Sequence, residues 1–193
     1  MSINMTKGQR ISLEKQGGGE LTKVRMGLGW DAIEKKGLFG RKKPGKDVDL
    51  DASCVVLDEA RNEIGAVWFK KLRSDDGSIV HTGDNLTGEG EGDDESIIVE
   101  LDKLSDQVQT LVFTVTSYSA QGFSEVANAS CRLVDERGGS EVARFDLSAT
   151  GPHTAMIMAT VYRSGGGWKM AAVGDTGRGK TYKDMGDMIR NVA

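Results

Sequence analysis

The chain has 193 residues, with 25 Lys or Arg against 29 Asp or Glu, a formal net charge of −4 and a pI near 5.3. That length suits one well-buried core, and the charge balance excludes a general polyanion binder, because nonspecific nucleic-acid affinity needs clustered cations to neutralise phosphates. Glycine is abundant, 26 residues against two prolines, and falls between short runs rich in Val, Ile, Thr and aromatics, the pattern of many strands joined by tight turns.

In chain order, the opening MSINMTKGQRISLEK carries no apolar run of the signal-sequence kind. No stretch approaches the ~18 apolar residues of a membrane span, so a soluble, cytoplasmic protein is expected. Strands are predicted at Arg10 to Glu14, Lys23 to Gly29, Val48 to Leu57, Ile64 to Phe69, Ile97 to Leu101, Thr110 to Tyr118, Ala127 to Val134, Glu141 to Leu147, Ala155 to Tyr162 and Trp168 to Val173. In the central run TLVFTVTSY, Leu111, Phe113 and Val115 point one way and the threonines the other, as a half-buried strand requires. Met185, Met188, Ile189 and Val192 recur at helical spacing and predict a short helix over Tyr182 to Val192. With no long helix between the strands, the expected fold is mostly β, an antiparallel two-sheet β-sandwich with a short C-terminal helix.

Glu34 to Lys46 departs from this pattern. It carries six cations, Pro44 and three glycines around Leu38 and Phe39, and reads as a basic loop, either a solvated connection or a patch that touches a partner or an anionic membrane surface. Cys54 and Cys131 lie in apolar, strand-like runs, where a free thiol packs as a small hydrophobe. That setting also argues against nucleophilic catalysis with His81 or His153, since a reactive thiol needs an accessible, electropositive site.

The chemistry concentrates from Asp84 to Glu95, DNLTGEGEGDDE: six carboxylates, an Asn and a Thr among three glycines, with no cation. Carboxylates forced together repel and raise one another's pKa, so a folded loop of this composition needs a countercharge. The donors are hard oxygens, which suit Ca²⁺ better than Mg²⁺ or Zn²⁺. A helix-loop-helix calcium site fits only at Asp84 and Glu95, because Leu86, Gly88 and Glu89 stand where ligands and a sharp-turn glycine belong, and a strand follows. A second acidic element, DVDLDAS, places Asp47, Asp49 and Asp51 on one side of an extended chain. These carboxylates either complete the loop's coordination, build a second site, or guard an edge strand.

GLGWD (Gly27 to Asp31), DLDAS (Asp49 to Ser53), GDNLTGEGEGDDE (Gly83 to Glu95), VANASCRLVDE, HTAMIMATVYR and GGWKMAAVG closely resemble the tellurium-resistance, TerD-type family along nearly the whole chain. The resemblance implies one domain over residues 1–193, folded as a two-sheet sandwich. It also implies a non-enzymatic role in bacterial tellurite and chemical-stress tolerance, with other proteins of that resistance system as partners, at the inner face of the membrane. Calcium, usually two ions, is implied at Asp49 and Asp51 and at Asp84, Asn85, Glu89, Glu91, Asp93, Asp94 and Glu95, with Asp31 as an addition. The basic stretch at residues 32–46 is an insertion between GLGWD and DLDAS relative to the family pattern.

One motif competes. GDTGRGKT, Gly174 to Thr181, satisfies the phosphate-loop pattern between a predicted strand and a predicted helix. It would make the chain a nucleotide-binding protein, with Lys180 on phosphates, Thr181 on Mg²⁺ and VVLDE (Val55 to Glu59) as the aspartate-bearing strand. The lack of βαβ units upstream and the few residues after Thr181 weigh against it.

Overall fold

Alternating runs become strands because each can bury one row of side chains against a facing sheet. In the computed structural model, which describes residues 2–15, 18–32, 35–36, 42–43, 49–83, 92–119, 121–147 and 151–193, the strands in chain order are β1 (Ile3–Met5), β2 (Arg10–Ser12), β3 (Lys23–Ala32), β4 (Lys35–Lys36), β5 (Lys42–Lys43), β6 (Leu50–Leu57), β7 (Glu63–Val67), β8 (Ile79–His81), β9 (Glu95–Glu100), β10 (Thr110–Ser117), β11 (Val126–Asp135), β12 (Glu141–Asp146), β13 (Ala155–Ser164) and β14 (Gly167–Gly177). They build two six-stranded sheets, ordered β1-β12-β11-β3-β9-β8 and β2-β14-β13-β10-β6-β7. Pairing is antiparallel save for β1, which lies parallel to β12. Leu28, Trp30, Ile97 and Leu133 of the first sheet share one core cluster with Leu50, Cys54, Phe113 and Met158 of the second, the sandwich the alternation predicts.

β10 is central, as expected, but all eight of its residues are buried. Its outer side is covered as well. Val55, Leu57, Val112 and Ile157 form a second cluster with Tyr182, Met185 and Ile189. The C-terminal segment that covers them is one turn of 3-10 helix, Tyr182–Met185, running into α1 (Gly186–Val192). The predicted helix therefore exists, with a tighter first turn.

Three elements differ from expectation. β1 and β8 are three residues each, too short for alternation to register. In the basic stretch, Lys35 and Lys36 pair with Lys43 and Lys42 in a small antiparallel ladder, so this part of the stretch is a hairpin rather than a plain loop; Leu38 and Phe39 lie outside the described residues. Cys54 and Cys131 are free and fully buried. Burial pushes both thiols up, that of Cys131 to about 12 and that of Cys54 further, so neither supplies a thiolate near neutral pH.

Candidate functional site

β3 sends Val24, Met26, Leu28 and Trp30 into the core, so Arg25, Gly27, Gly29 and Asp31 lie on its outward face. The return leg of the acidic loop crosses that face. Asp94 N–H donates to Leu28 O at 2.9 Å, and Asp94 Oδ2 accepts from Trp30 N–H at 2.9 Å. A Cβ on Gly27 would come within 2.2 Å of Asp93 Cγ, and one on Gly29 within 3.2 Å of Gly92 O. GLGWD is therefore a seat: its glycines leave room for the loop, while Leu28 and Trp30 anchor the strand beneath.

Asp93 is clamped on this seat. Its carboxylate accepts from Arg25 Nη1 at 2.9 Å and Arg132 Nε at 2.6 Å, and its side chain is 6 % exposed. Arg25 continues to Glu136 at 2.9 Å and Arg132 to Glu141 at 3.4 Å. The bond to Asp93 is the main cause of an upward shift at Arg132. Two guanidiniums thus supply part of the countercharge that the acidic loop needs. Sequence reading did not single out either arginine; the available signal was Arg25 sharing the outward parity of Gly27.

Glu95 turns the other way. It shares the parity of Ile97 and Val99 on β9, so it points between the sheets. Its Oε2 accepts from Ala52 N–H at 2.7 Å and lies 3.4 Å from His81 Nε2, with both side chains fully buried. His81, expected at the edge of the loop, is the last residue of β8 and is buried.

Asp94, Asp31 and Asn128 gather at the end of β3. Burial, reinforced by the Asp31 and Asp93 charges, holds the Asp94 carboxyl above the usual range, against the lowering effect of the Trp30 N–H bond. Asn128 takes a φ of 53° in an irregular stretch of β11, a left-handed conformation that Asn tolerates. There its amide nitrogen donates to Asp31 Oδ2 at 2.8 Å. On β6, Leu50 enters the core and Asp51 lies on the opposite face, 3 % exposed and opposite Thr116 of β10. Asp49, two residues earlier, shares the parity of Asp51. Asp84, Asn85, Glu89 and Glu91, with Asp47, lie outside the described residues.

Among the described residues no group of three or more His, Cys, Asp or Glu side chains is close enough to hold a metal alone. The donors at the end of β3 are nonetheless oxygens, with an Asp94 carboxyl that burial and neighbouring acids destabilise in its charged form. That donor chemistry fits a hard cation.

Gly174 to Thr181 does not form a phosphate loop. Residues 175 to 177 belong to β14 and pair with Ile157, Met156 and Ala155 of β13. The N–H groups of Lys180 and Thr181, which such a loop would aim at phosphate, both donate to Asp184 Oδ2, at 2.8 and 3.1 Å. Gly179 N–H donates to Thr154 Oγ1 at 3.1 Å. The motif is a strand end followed by a helix cap. His153, the other candidate base, packs edge-on against Phe123 at 5.0 Å between centroids.

A two-sheet sandwich in which the end of an acidic stretch, Gly92 to Asp94, is seated on a glycine-notched strand and clamped by arginines defines the class of protein. The family model described as the TerD domain matches residues 1–185. The chain belongs to this family of tellurium-resistance and stress-response proteins. It is 45% identical to the tellurium resistance protein TerZ of Serratia marcescens over 184 residues, covering 95% of this chain and 94% of that one. The tellurium resistance protein TerD of the same organism is 41% identical, with 90% of each chain covered. The chemical-damaging agent resistance protein B of Clostridium acetobutylicum is 36% identical over 58% of this chain and 85% of its own. The same fold occurs in a crystal structure of a TerD homologue from Streptomyces coelicolor A3(2), at a TM-score of 0.71 and 22% identity, covering 88% of this chain and 98% of that one.

Proposed function

We propose that this chain is a calcium-binding, non-enzymatic scaffold of a tellurite and chemical-stress resistance system, acting in the cytoplasm. The observation that carries the reading is the convergence of Asp94 and Asp31 beside the seated end of the six-acid loop, with the Asp94 carboxyl destabilised by burial and by its acidic neighbours. Calcium, as two ions, would be held by Asp31, Asp94, Asp49 and Asp51 together with Asp84, Asn85, Glu89 and Glu91. Asp93 and Glu95 serve as anchors instead, since the first is neutralised by two arginines and the second is bonded inside the sandwich. Bound calcium supplies positive charge that quenches the repulsion among these carboxylates.

The chain's own residues do the positioning. Gly27 and Gly29 admit the return leg, Arg25 and Arg132 hold it down, and Trp30 N–H orients Asp94. Cysteine-based catalysis is disfavoured by the burial of both thiols, which pushes them up and away from thiolate formation near neutral pH. Other proteins of the resistance system are the partners we propose, at the inner face of the membrane; no helix among the described residues is long and apolar enough to cross it.

A cation that binds only the folded chain stabilises it by about 2.7 kcal/mol at a hundredfold excess over Kd. Thermal melts with added calcium and with chelator test the reading, and calorimetric titration gives the number of ions. An unchanged melting temperature across millimolar calcium ends it.

A further inference from the structure

On the outer face of the second sheet, past the end of α1, a cleft of about 570 Å³ opens beside the turn at Lys7 and Gly8. Small-molecule sites commonly enclose about 300–1,000 Å³. Lys7, Arg10, Arg61 and Arg163 line it, against the side-chain carboxylate of Asp175. On a chain whose formal net charge is −4, this is a local reversal of sign, and such a lining concentrates anions.

Among the described residues, close side-chain carboxylates compensate only part of this positive charge. Arg163 is fixed by donating from Nε to Val108 O at 2.9 Å and from Nη2 to Leu104 O at 3.3 Å, and by lying 4.6 Å from the Trp168 ring centroid. Its backbone acceptors are neutral, and the carboxylate of Asp106 is 3.9 Å away and fully exposed. Arg61 likewise donates to a neutral acceptor, Arg190 O, at 3.3 Å. Among the described residues the Arg10 side chain has no hydrogen bond or ion pair. Lys7 is closely matched, by Asp175 at 2.6 Å, and Ala193, the last residue, also lines the cleft. The floor adds Thr110 and Thr160, 9 % and 3 % exposed, whose hydroxyls make no hydrogen bond among the described residues. Tyr162 adds an aromatic ring beside them.

We propose that this cleft binds a phosphorylated small molecule of mononucleotide or sugar-phosphate size. Arg10, Arg61 and Arg163 would meet the phosphate, because guanidinium forks match its oxygens and an unpaired guanidinium carries its full charge to the ligand. The floor hydroxyls would meet the sugar. The cleft's lining includes none of Gly92 to Glu95 and neither Lys180 nor Thr181.

Calorimetric titration of the full chain with AMP, ribose 5-phosphate and inorganic phosphate, at low salt and without calcium, tests it. AMP, ribose 5-phosphate or both should bind, and more tightly than inorganic phosphate. Arg10→Gln with Arg61→Gln should weaken binding about tenfold or more, while Lys180→Ala leaves it unchanged. A calcium-dependent rise in melting temperature, measured separately, should persist in the Arg10→Gln, Arg61→Gln protein, which keeps the two sites distinguishable. No binding of either organic phosphate at millimolar concentration overturns the proposal, as does equal affinity for inorganic phosphate. Undiminished binding in the double variant, or loss of binding in Lys180→Ala, overturns it too.

Discussion

Glu95 of one sheet accepts a hydrogen bond from the backbone N–H of Ala52 in the other, at 2.7 Å and in full burial. β7 pairs with β6 only from Cys54 onward, so Ala52 N–H lies beyond that ladder and the Glu95 carboxylate receives it. The last acid of the loop motif is thus a bolt through the sandwich.

Removing the bolt should be costly. Glu95→Ala leaves the Ala52 N–H without its acceptor, worth about 1–3 kcal/mol, and opens a void in addition. Chemical denaturation should show that loss with or without calcium, and Glu95→Gln, which keeps an acceptor oxygen, should lose less. Equal stability of Glu95→Ala and the parent chain would remove the bolt from the account.

Gly27→Ala should displace the Asp93 carboxylate from the space it fills. The side chain that must move is held by two arginines, so the substitution should cost about 1–3 kcal/mol as overpacking and release both ion pairs. Combined with Arg132→Gln it should cost less than the sum of the single changes, because both remove one interaction. A double-mutant cycle of melting temperatures measures this, and strict additivity contradicts it.

The two neighbouring acids should separate in function. Asp93→Asn should lower the melting temperature in chelator as well as in calcium, since its partners are Arg25 and Arg132. Asp94→Asn should have a smaller effect in chelator but diminish the rise that calcium produces. The reverse pattern in paired thermal melts would exchange their roles.

Asp184 gives a pH-dependent prediction. Accepting from the N–H groups of Lys180 and then Thr181 holds its carboxyl below the usual range. The unfolded chain therefore takes up this proton at a higher pH than the folded chain, and the contribution is complete above about pH 4 and fades as pH falls through the lowered value. Asp184→Ala should cost about 1 kcal/mol near neutrality, as lost caps do. The gap from the parent should narrow in acid, and a gap constant down to pH 2 would contradict the assignment.

Much of the fold was legible because alternation is a local signal. Leu111, Phe113 and Val115 mark their strand whatever lies beside it, and Met185 and Ile189 mark a helix by their spacing alone. Ile3–Met5 and Ile79–His81 carry no such signal, being too short to show a period, and they are strands only because β12 and β9 offer free edges. GDTGRGKT misleads for a related reason. A pattern of glycines and a lysine does not say where backbone N–H groups point, and here they point at Asp184.

By itself the sequence determined that this is a sandwich of short strands and marked the acids and glycines from Asp84 to Glu95 as the candidate site, because period and composition are properties of neighbours along the chain. The tertiary structure decided what each acid does. Asp93 meets Arg25 and Arg132, and Glu95 meets Ala52 and His81, through pairings that strand order alone creates. Asp93 and Glu95, two residues apart, became a clamp over β3 and a buried bolt because β9 begins only at Glu95, whose side chain joins the inward row of Ile97 and Val99, while Asp93 still lies in the return leg over Gly27; only the assembled sheets supply what waits in each place.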